Sequence, residues 1–318
     1  MPAPAFRIVL CASVAYVMAT GRPIEAQELV RTVQITLDND FLNVWEPPRE
    51  RADHNYTHGM RLTWDLAHAP EFARRLVCRS GPCGTTLEMG QEIYTSTQDW
   101  FWHIDGERPY AGWLYGRVDV RGGDRGTLRR LGLTVGVTGP PSLGEAAHTA
   151  VHETFASFRP RVGWIDQLPT EVAFAALASR SWRVAPDGPA ARFVDVVATV
   201  SGTLGTLRTS AGAGGRVRLG APLAHPWLAD VRSGVAPYAF AGLRAEAVGR
   251  DMFLDGTLFS ESPRTDHRPV FGEVDAGLGV RMGRATLEFR VVRRSRQYAA
   301  SPSRVTYSSV ALGWGLGQ

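Results

Sequence analysis

Residues 131–138 read LGLTVGVT. Leu131, Leu133, Val135 and Val137 fall on one phase, and Gly132, Thr134, Gly136 and Thr138 on the other. Successive side chains of a strand point to opposite faces, so this segment has one apolar face and one small or polar face. The pattern recurs along the chain. Val33, Ile35 and Leu37 alternate with Gln34, Thr36 and Asp38; Met60, Leu62, Trp64 and Leu66 alternate with Gly59, Arg61, Thr63 and Asp65. Near the C-terminus Val310, Leu312, Trp314 and Leu316 alternate with Ser309, Ala311, Gly313 and Gly315. In a water-soluble sandwich the apolar phase would form a core. In a membrane barrel it faces lipid, and the small and polar phase fills the lumen.

Reading outward from these segments predicts strands near 32–43, 56–67, 85–95, 110–121, 128–139, 170–184, 190–202, 210–220, 233–248, 270–283, 284–295 and 304–316. That is about twelve, an even number, with lengths near the roughly 9–11 residues that cross a bilayer. The connections at 122–126, 185–189 and 283–284 are tight, whereas 44–55, 96–109, 139–169 and 249–269 are longer. Bacterial barrels have short periplasmic turns and long extracellular loops. The expected fold is an all-β, transmembrane antiparallel β-barrel of about twelve strands, with a short helix in an extracellular loop. One connection, 68–84, is long on the side of the short turns.

Composition agrees. The chain has 318 residues, and its mean hydropathy of −0.13 is far too low for a helical membrane protein but ordinary for a barrel. Arg7 followed by the apolar run Ile8–Ala19, with cleavage expected after Ala26 or after Ala19, has the form of a signal peptide, too short to span. The expected organisation is therefore a signal peptide over 1–26 and one outer-membrane domain over 27–318. Cys11 leaves with the leader, so Cys78 and Cys83 remain for a short disulfide in an oxidising compartment. The formal charge of +4 is too mild to imply a nucleic-acid partner. All 35 basic residues are arginine; codon bias in a GC-rich genome accounts for this, and the planar fork that grips phosphates bidentately is a compatible functional reading.

The expected topology gathers five polar or glycine-rich segments at the long-loop end. These are Asp38–Asn39–Asp40, Tyr56–Gly59, Gln91–Thr95, Arg108–Trp113 and the loop 139–169. The hard oxygens of Asp38, Asn39 and Asp40 suit Ca²⁺ better than a transition metal; a solvated strand end is the alternative. GEAAHTAVHETF (144–155) follows Pro140–Pro141 and predicts a helix with His148 and His152 on one face. The pair could ligate a metal, supply a general base, or be two surface histidines. No third ligand stands at zinc spacing. Trp100, Phe101 and Trp102 suit a membrane-interface girdle or an acyl-chain contact.

Six motifs together resemble the outer-membrane lipid A 3′-O-deacylase family: DNDF (38–41), YTHGMRLTW (56–64), GQEIYT (90–95), RPYAGWLY (108–115), GPPSLGE (139–145) with His152, and GWIDQL (163–168). They cover most of 38–171 in the family's order. The resemblance implies a twelve-stranded barrel in the outer membrane of a Gram-negative bacterium. It implies a Ca²⁺-dependent hydrolase that removes the 3′-linked acyloxyacyl group of lipid A. The family's functional positions fall on Asn39, Asp40, Thr57 and His152; His148 stands where the family commonly has Gln. Asp40 and Asp38 are the expected metal ligands, and Arg108, Tyr110 and Arg61 the expected contacts to a diphosphorylated glycolipid. The nucleophile is either water activated by His152 or the Thr57 hydroxyl. An outer-membrane phospholipase and a non-catalytic barrel, pore or structural, are the competing readings. A membrane-embedded monomer is expected.

Overall fold

In a computed structural model the alternating segments hydrogen-bond side by side and close on themselves. The structure describes residues 30–40, 55–78, 82–97, 105–154, 163–184, 189–220, 222–227, 234–301 and 305–316. The leader over 1–26 and the Trp100–Trp102 cluster lie outside the described residues. Twelve strands run in order: β1 (Val30–Asn39), β2 (Asn55–Leu66), β3 (Cys83–Thr95), β4 (Ala111–Gly123), β5 (Thr127–Thr138), β6 (Val172–Arg183), β7 (Val194–Gly205), β8 (Arg208–Gly220), β9 (Val235–Asp251), β10 (Val270–Met282), β11 (Ala285–Arg294) and β12 (Val305–Gly315). Each pairs antiparallel with its sequence neighbours, and β1 closes the barrel against β12 through Leu37↔Val310, Asp38↔Ser309 and Asn39↔Ser308. Closure removes the sheet edges that an open sheet would leave unpaired. No helix among the described residues is long and apolar enough to cross a membrane; the strands do the crossing.

The alternation divides as the sequence predicts. Ile35 and Leu37 on β1, Leu131, Leu133 and Val135 on β5 and Leu278 on β10 are exposed on the outer wall. The opposite phase fills the lumen with ion pairs: Arg61–Asp38 at 2.8 Å, Arg121–Asp65 at 2.6 Å, Arg183–Asp195 at 2.9 Å and Arg216–Asp275 at 2.9 Å. Charges taken out of bulk water need such partners, because an isolated buried charge is prohibitively costly. Toward the long-loop end aromatic rings from facing strands meet inside: Tyr94 of β3 stacks on Phe253 at 4.3 Å, and Tyr56 of β2 meets Tyr307 of β12 at 4.7 Å. The lumen is plugged rather than open.

Among the described residues three short α-helices decorate the barrel: α1 (Glu71–Val77), α2 (Gly144–Thr154) and α3 (Met252–Asp255). The first accounts for the long 68–84 connection. Its Ala73 and Val77 pack on Val120 of β4, and Cys78 and Cys83 form the expected disulfide beside it. One boundary differs from the sequence reading. β7 lies three to four residues later than predicted and β8 starts two residues earlier, so only Thr206 and Leu207 join them at the long-loop end. The small residues of SGTLGTLRTSAGAGG (201–215) give no apolar alternation, so composition hides the strand ends there.

Candidate functional site

One hydrogen-bonded row of the sheet organises the site. Asn39 pairs with His58, His58 with Ile93, and Ile93 with Gly112 across β1, β2, β3 and β4. All four lie on the phase that faces outward, as the exposed Leu37 on β1 and the exposed Met89 on β3 show for their strands. Yet Ile93 is only 1 % exposed. The reason is that the β5–β6 loop folds back over the outside of the wall. Gln91 Nε2 donates to the Ser142 carbonyl at 2.7 Å, fastening the turn before α2 to β3. Ile93, Tyr110 and Trp164 form a buried cluster against Ala147 of α2. Gly112 makes the approach possible: a Cβ there would stand 2.2 Å from Ser142 Oγ and 2.8 Å from Gly144 Cα.

Beneath α2 the two histidines face the wall, 4 % and 6 % exposed. Their Nε2 atoms are 3.2 Å apart, and Trp164 Nε1 lies 3.1 Å from His148 Nδ1. An indole N–H can only donate, so His148 Nδ1 accepts. Neutral His148 then carries its proton on Nε2 and donates to His152 Nε2. The other tautomer would set two N–H groups face to face and strand the indole donor, a penalty of about 1–3 kcal/mol for the unmade bond. The ring states therefore follow from one tryptophan. The same tautomer disfavours a shared transition-metal ion, because a metal on Nε2 would require the proton on the nitrogen that Trp164 occupies.

Thr57 is the extra residue where the β2–β3 register shifts between Tyr56 and His58. A bulge re-aims side chains, and here Tyr56 points into the lumen while His58 stays on the outward row. Thr57 is buried, and its hydroxyl meets that of Thr95 at 2.7 Å. The Asp40 N–H donates to the Thr57 carbonyl at 3.3 Å, and the Asp40 side chain is buried beside this rim.

The structure thus divides the residues named from sequence. Asn39, Tyr110, His148 and His152 lie on the outer side of the wall, with Thr57 and Asp40 at its rim. Asp38, Arg61 and Arg108 lie inside. Asp38 accepts from Arg61 at 2.8 Å and from the Tyr56 hydroxyl at 2.9 Å, which commits that carboxylate to the lumen. Arg108 is 1 % exposed, with its guanidinium carbon 4.6 Å over the Tyr94 ring, and burial pushes its pKa below the ordinary value. The expected rim placement of Arg61 and Arg108 is corrected: alternation sends Arg61 inward opposite Asp38, and the β3–β4 loop tucks Arg108 under the aromatic plug. His58, Gln91 and Thr95, which the sequence gathers at this end without a role, and Trp164 also belong to the outer site. Only the outward phase of YTHG and GQEIYT could have pointed to the first three; Trp164 sits in the family-like GWIDQL.

The donors at this rim bear on the expected Ca²⁺. Asp40, the Asn39 amide oxygen and the Thr57 and Thr95 hydroxyls are all hard oxygens, which fits that ion. Asp38 does not fit, being held by Arg61. Among the described residues no three His, Cys, Asp or Glu side chains converge on one metal position, so carbonyl, amide and hydroxyl oxygens would have to complete the shell.

Comparison with known proteins follows the geometry. A family model described as outer membrane protein LpxR matches residues 8–316. LpxR from Salmonella typhimurium has a similar solved structure, with TM-score 0.74 and 18 % identity over 89 % of this chain and 99 % of that one. The translocator domain of the autotransporter NalP from Neisseria meningitidis gives TM-score 0.41 at 14 % identity, over 98 % of this chain and 99 % of its own. No curated protein sequence matches. With a match over nearly the whole length, the chain belongs to the LpxR lipid A 3′-O-deacylase family of outer membrane proteins.

Proposed function

We propose that this protein is an outer-membrane esterase that removes the 3′-linked acyloxyacyl chain of lipid A, with His152 as general base. The observation that carries the reading is the position of the buried histidine pair. It lies between α2 and the outer wall, over the outward row that carries Asn39, where a lipid in the outer leaflet can bring an ester without entering the lumen.

The tautomers supply a route for the water. His148 offers an N–H and His152 a bare Nε2, facing each other. The two nitrogens touch directly at 3.2 Å, so the rings must part to admit a water that accepts from His148 and donates to His152, which then fixes its orientation. His152 takes a proton as the water oxygen attacks the ester carbonyl carbon. The tetrahedral intermediate then collapses, and the imidazolium returns the proton to the departing sugar oxygen. The products are a free acid and a 3′-hydroxyl. Asn39 and the Thr57–Thr95 hydroxyl pair orient the carbonyl. Thr57 is a poor nucleophile here, because its hydroxyl is engaged by Thr95 rather than by an imidazole, and this favours water. Ca²⁺ held by Asp40, Asn39 and Thr57 would supply positive charge that polarises the carbonyl and stabilises the oxyanion. His148 can stand where the family commonly has Gln because a neutral imidazole accepts from Trp164 on one nitrogen and donates toward His152 from the other.

Mass spectrometry of lipid A and phospholipids from cells producing the protein tests the reading. Loss of one acyloxyacyl unit, stopped by EGTA and not restored by zinc, is the expected result. Lysophospholipid with intact lipid A would instead make it a phospholipase. Unchanged lipids with Ca²⁺ supplied would leave a non-catalytic barrel.

A further inference from the structure

The periplasmic end of the barrel carries a second helix on the outside of the wall, and nothing in the proposed chemistry uses it. α1 packs Ala73 and Val77 on Val120, an outward residue of β4. Val120 pairs with Leu131 of β5, which is exposed to lipid, so α1 sits at the margin of the lipid-facing band. It is held firmly. The Cys78–Cys83 disulfide ties its C-terminus to β3, and a Cβ on Gly122 would come 2.6 Å from Cys78 Sγ.

What α1 turns away from the wall is unusual for a helix in water. Phe72 is 76 % exposed and Leu76 66 % exposed, four residues apart and therefore on one face. At about 100° per residue, that flank lies roughly a quarter-turn from the buried Ala73–Val77 stripe, and Arg74 points the opposite way. Arg75 lies on the side away from the wall. Both arginines are exposed, and Glu71 approaches them only at 3.9 and 3.8 Å, leaving the helix net basic. A helix tangent to a barrel, with an apolar flank and a basic flank on opposite sides, has the design of an interfacial anchor.

We propose that α1 docks into the periplasmic leaflet of the outer membrane, with Phe72 and Leu76 among acyl chains and Arg74 and Arg75 on the phosphates of glycerophospholipids. Continuity with the lipid-facing Leu131 selects lipid over a protein partner, and the basic flank selects anionic headgroups.

Photo-crosslinking of the full chain in vesicles of phosphatidylethanolamine and phosphatidylglycerol tests this. Phe72→p-benzoylphenylalanine should give a phospholipid adduct comparable to that from Leu131→p-benzoylphenylalanine on the wall. Arg74→p-benzoylphenylalanine should give several-fold less. Adducts at position 72 should be enriched at least about twofold in phosphatidylglycerol, and Arg74→Gln with Arg75→Gln should abolish the enrichment. Lipid adducts at 131 but not at 72 would overturn the docking. Adducts at 72 without headgroup enrichment would overturn the role of the arginines, and crosslinking in cells to a periplasmic protein in place of lipid would overturn the choice of partner.

Discussion

α1 and α2 lie on the outside of the same strand, β4, at its two ends, and they hide opposite things. α1 covers Ala73 and Val77 and presents Phe72 and Leu76. α2 covers His148 and His152 and presents Val151, 47 % exposed, with Leu143 beside it at 42 %. Each exposes apolar side chains, as a helix bordered by lipid should. Only α2 keeps polar groups underneath. Burying an imidazole costs free energy unless its nitrogens are hydrogen-bonded, so the polar underside is retained only with the Trp164–His148–His152 chain in place. A membrane protein can thus build a polar site on its lipid-facing side by laying a helix over it. The α1 region shows the same construction without the chemistry.

The largest test of that contrast is His152→Ala. It should lower deacylation by roughly 10²–10⁴-fold, the usual contribution of a positioned base, while the barrel still folds and shows its heat-dependent shift on a gel. Full activity in the folded variant would remove His152 from the chemistry and leave α2 as mere packing, like α1.

Two glycines of β4 sharpen the comparison further, because each is the seat of one helix. Gly112→Ala drives a methyl into Ser142 and the backbone of Gly144, lifting α2 off the wall. Activity should fall more than about tenfold, since small misplacements of catalytic groups are expensive. Unchanged turnover would show that the helix need not touch the wall. Gly122→Ala drives a methyl into Cys78 and should displace α1 instead. Overpacking of this kind costs about 1–3 kcal/mol, read as a lower unfolding temperature at unchanged kcat. Gly116→Ala is the control. It lies between the seats with nothing within 4 Å, and should change neither quantity.

The barrel was legible because its strands are written in period two, and closure needs little more than an even count of them. The site was legible in part. As a grouping it was: Asn39, Asp40 and Thr57 at strand ends and His152 in the β5–β6 loop stand in recognisable motifs that the topology brings to one end of the barrel, while their roles remain proposals. Which side of the wall each takes follows from the period-two phase on β1 but not at the start of β2. Asp38 and Asn39 are adjacent in sequence and go to opposite sides, and the bulge at Thr57 resets the phase of β2 without any glycine or proline to announce it. Arg61 was assigned to the rim because nothing local reveals that Asp38 waits for it across the β1–β2 ladder. Trp164 matters through one hydrogen bond to a residue 16 positions away, and the outward Gln91 through one bond to a carbonyl 51 positions away. Such roles exist only once the loop has folded back.

The register at the seam bears on when this protein can work. Asn39 sits on the first strand, and its neighbours are His58 on one side and Ser308, near the end of the chain, on the other. Until the last strand docks, β1 is a fraying margin, and the amide it carries has no fixed address. On the proposed role of Asn39, synthesis order and catalytic competence would be coupled: a chain still in transit, with its final hairpin unplaced, would be silent, and hydrolysis would begin only after the ring is sealed in its destination bilayer.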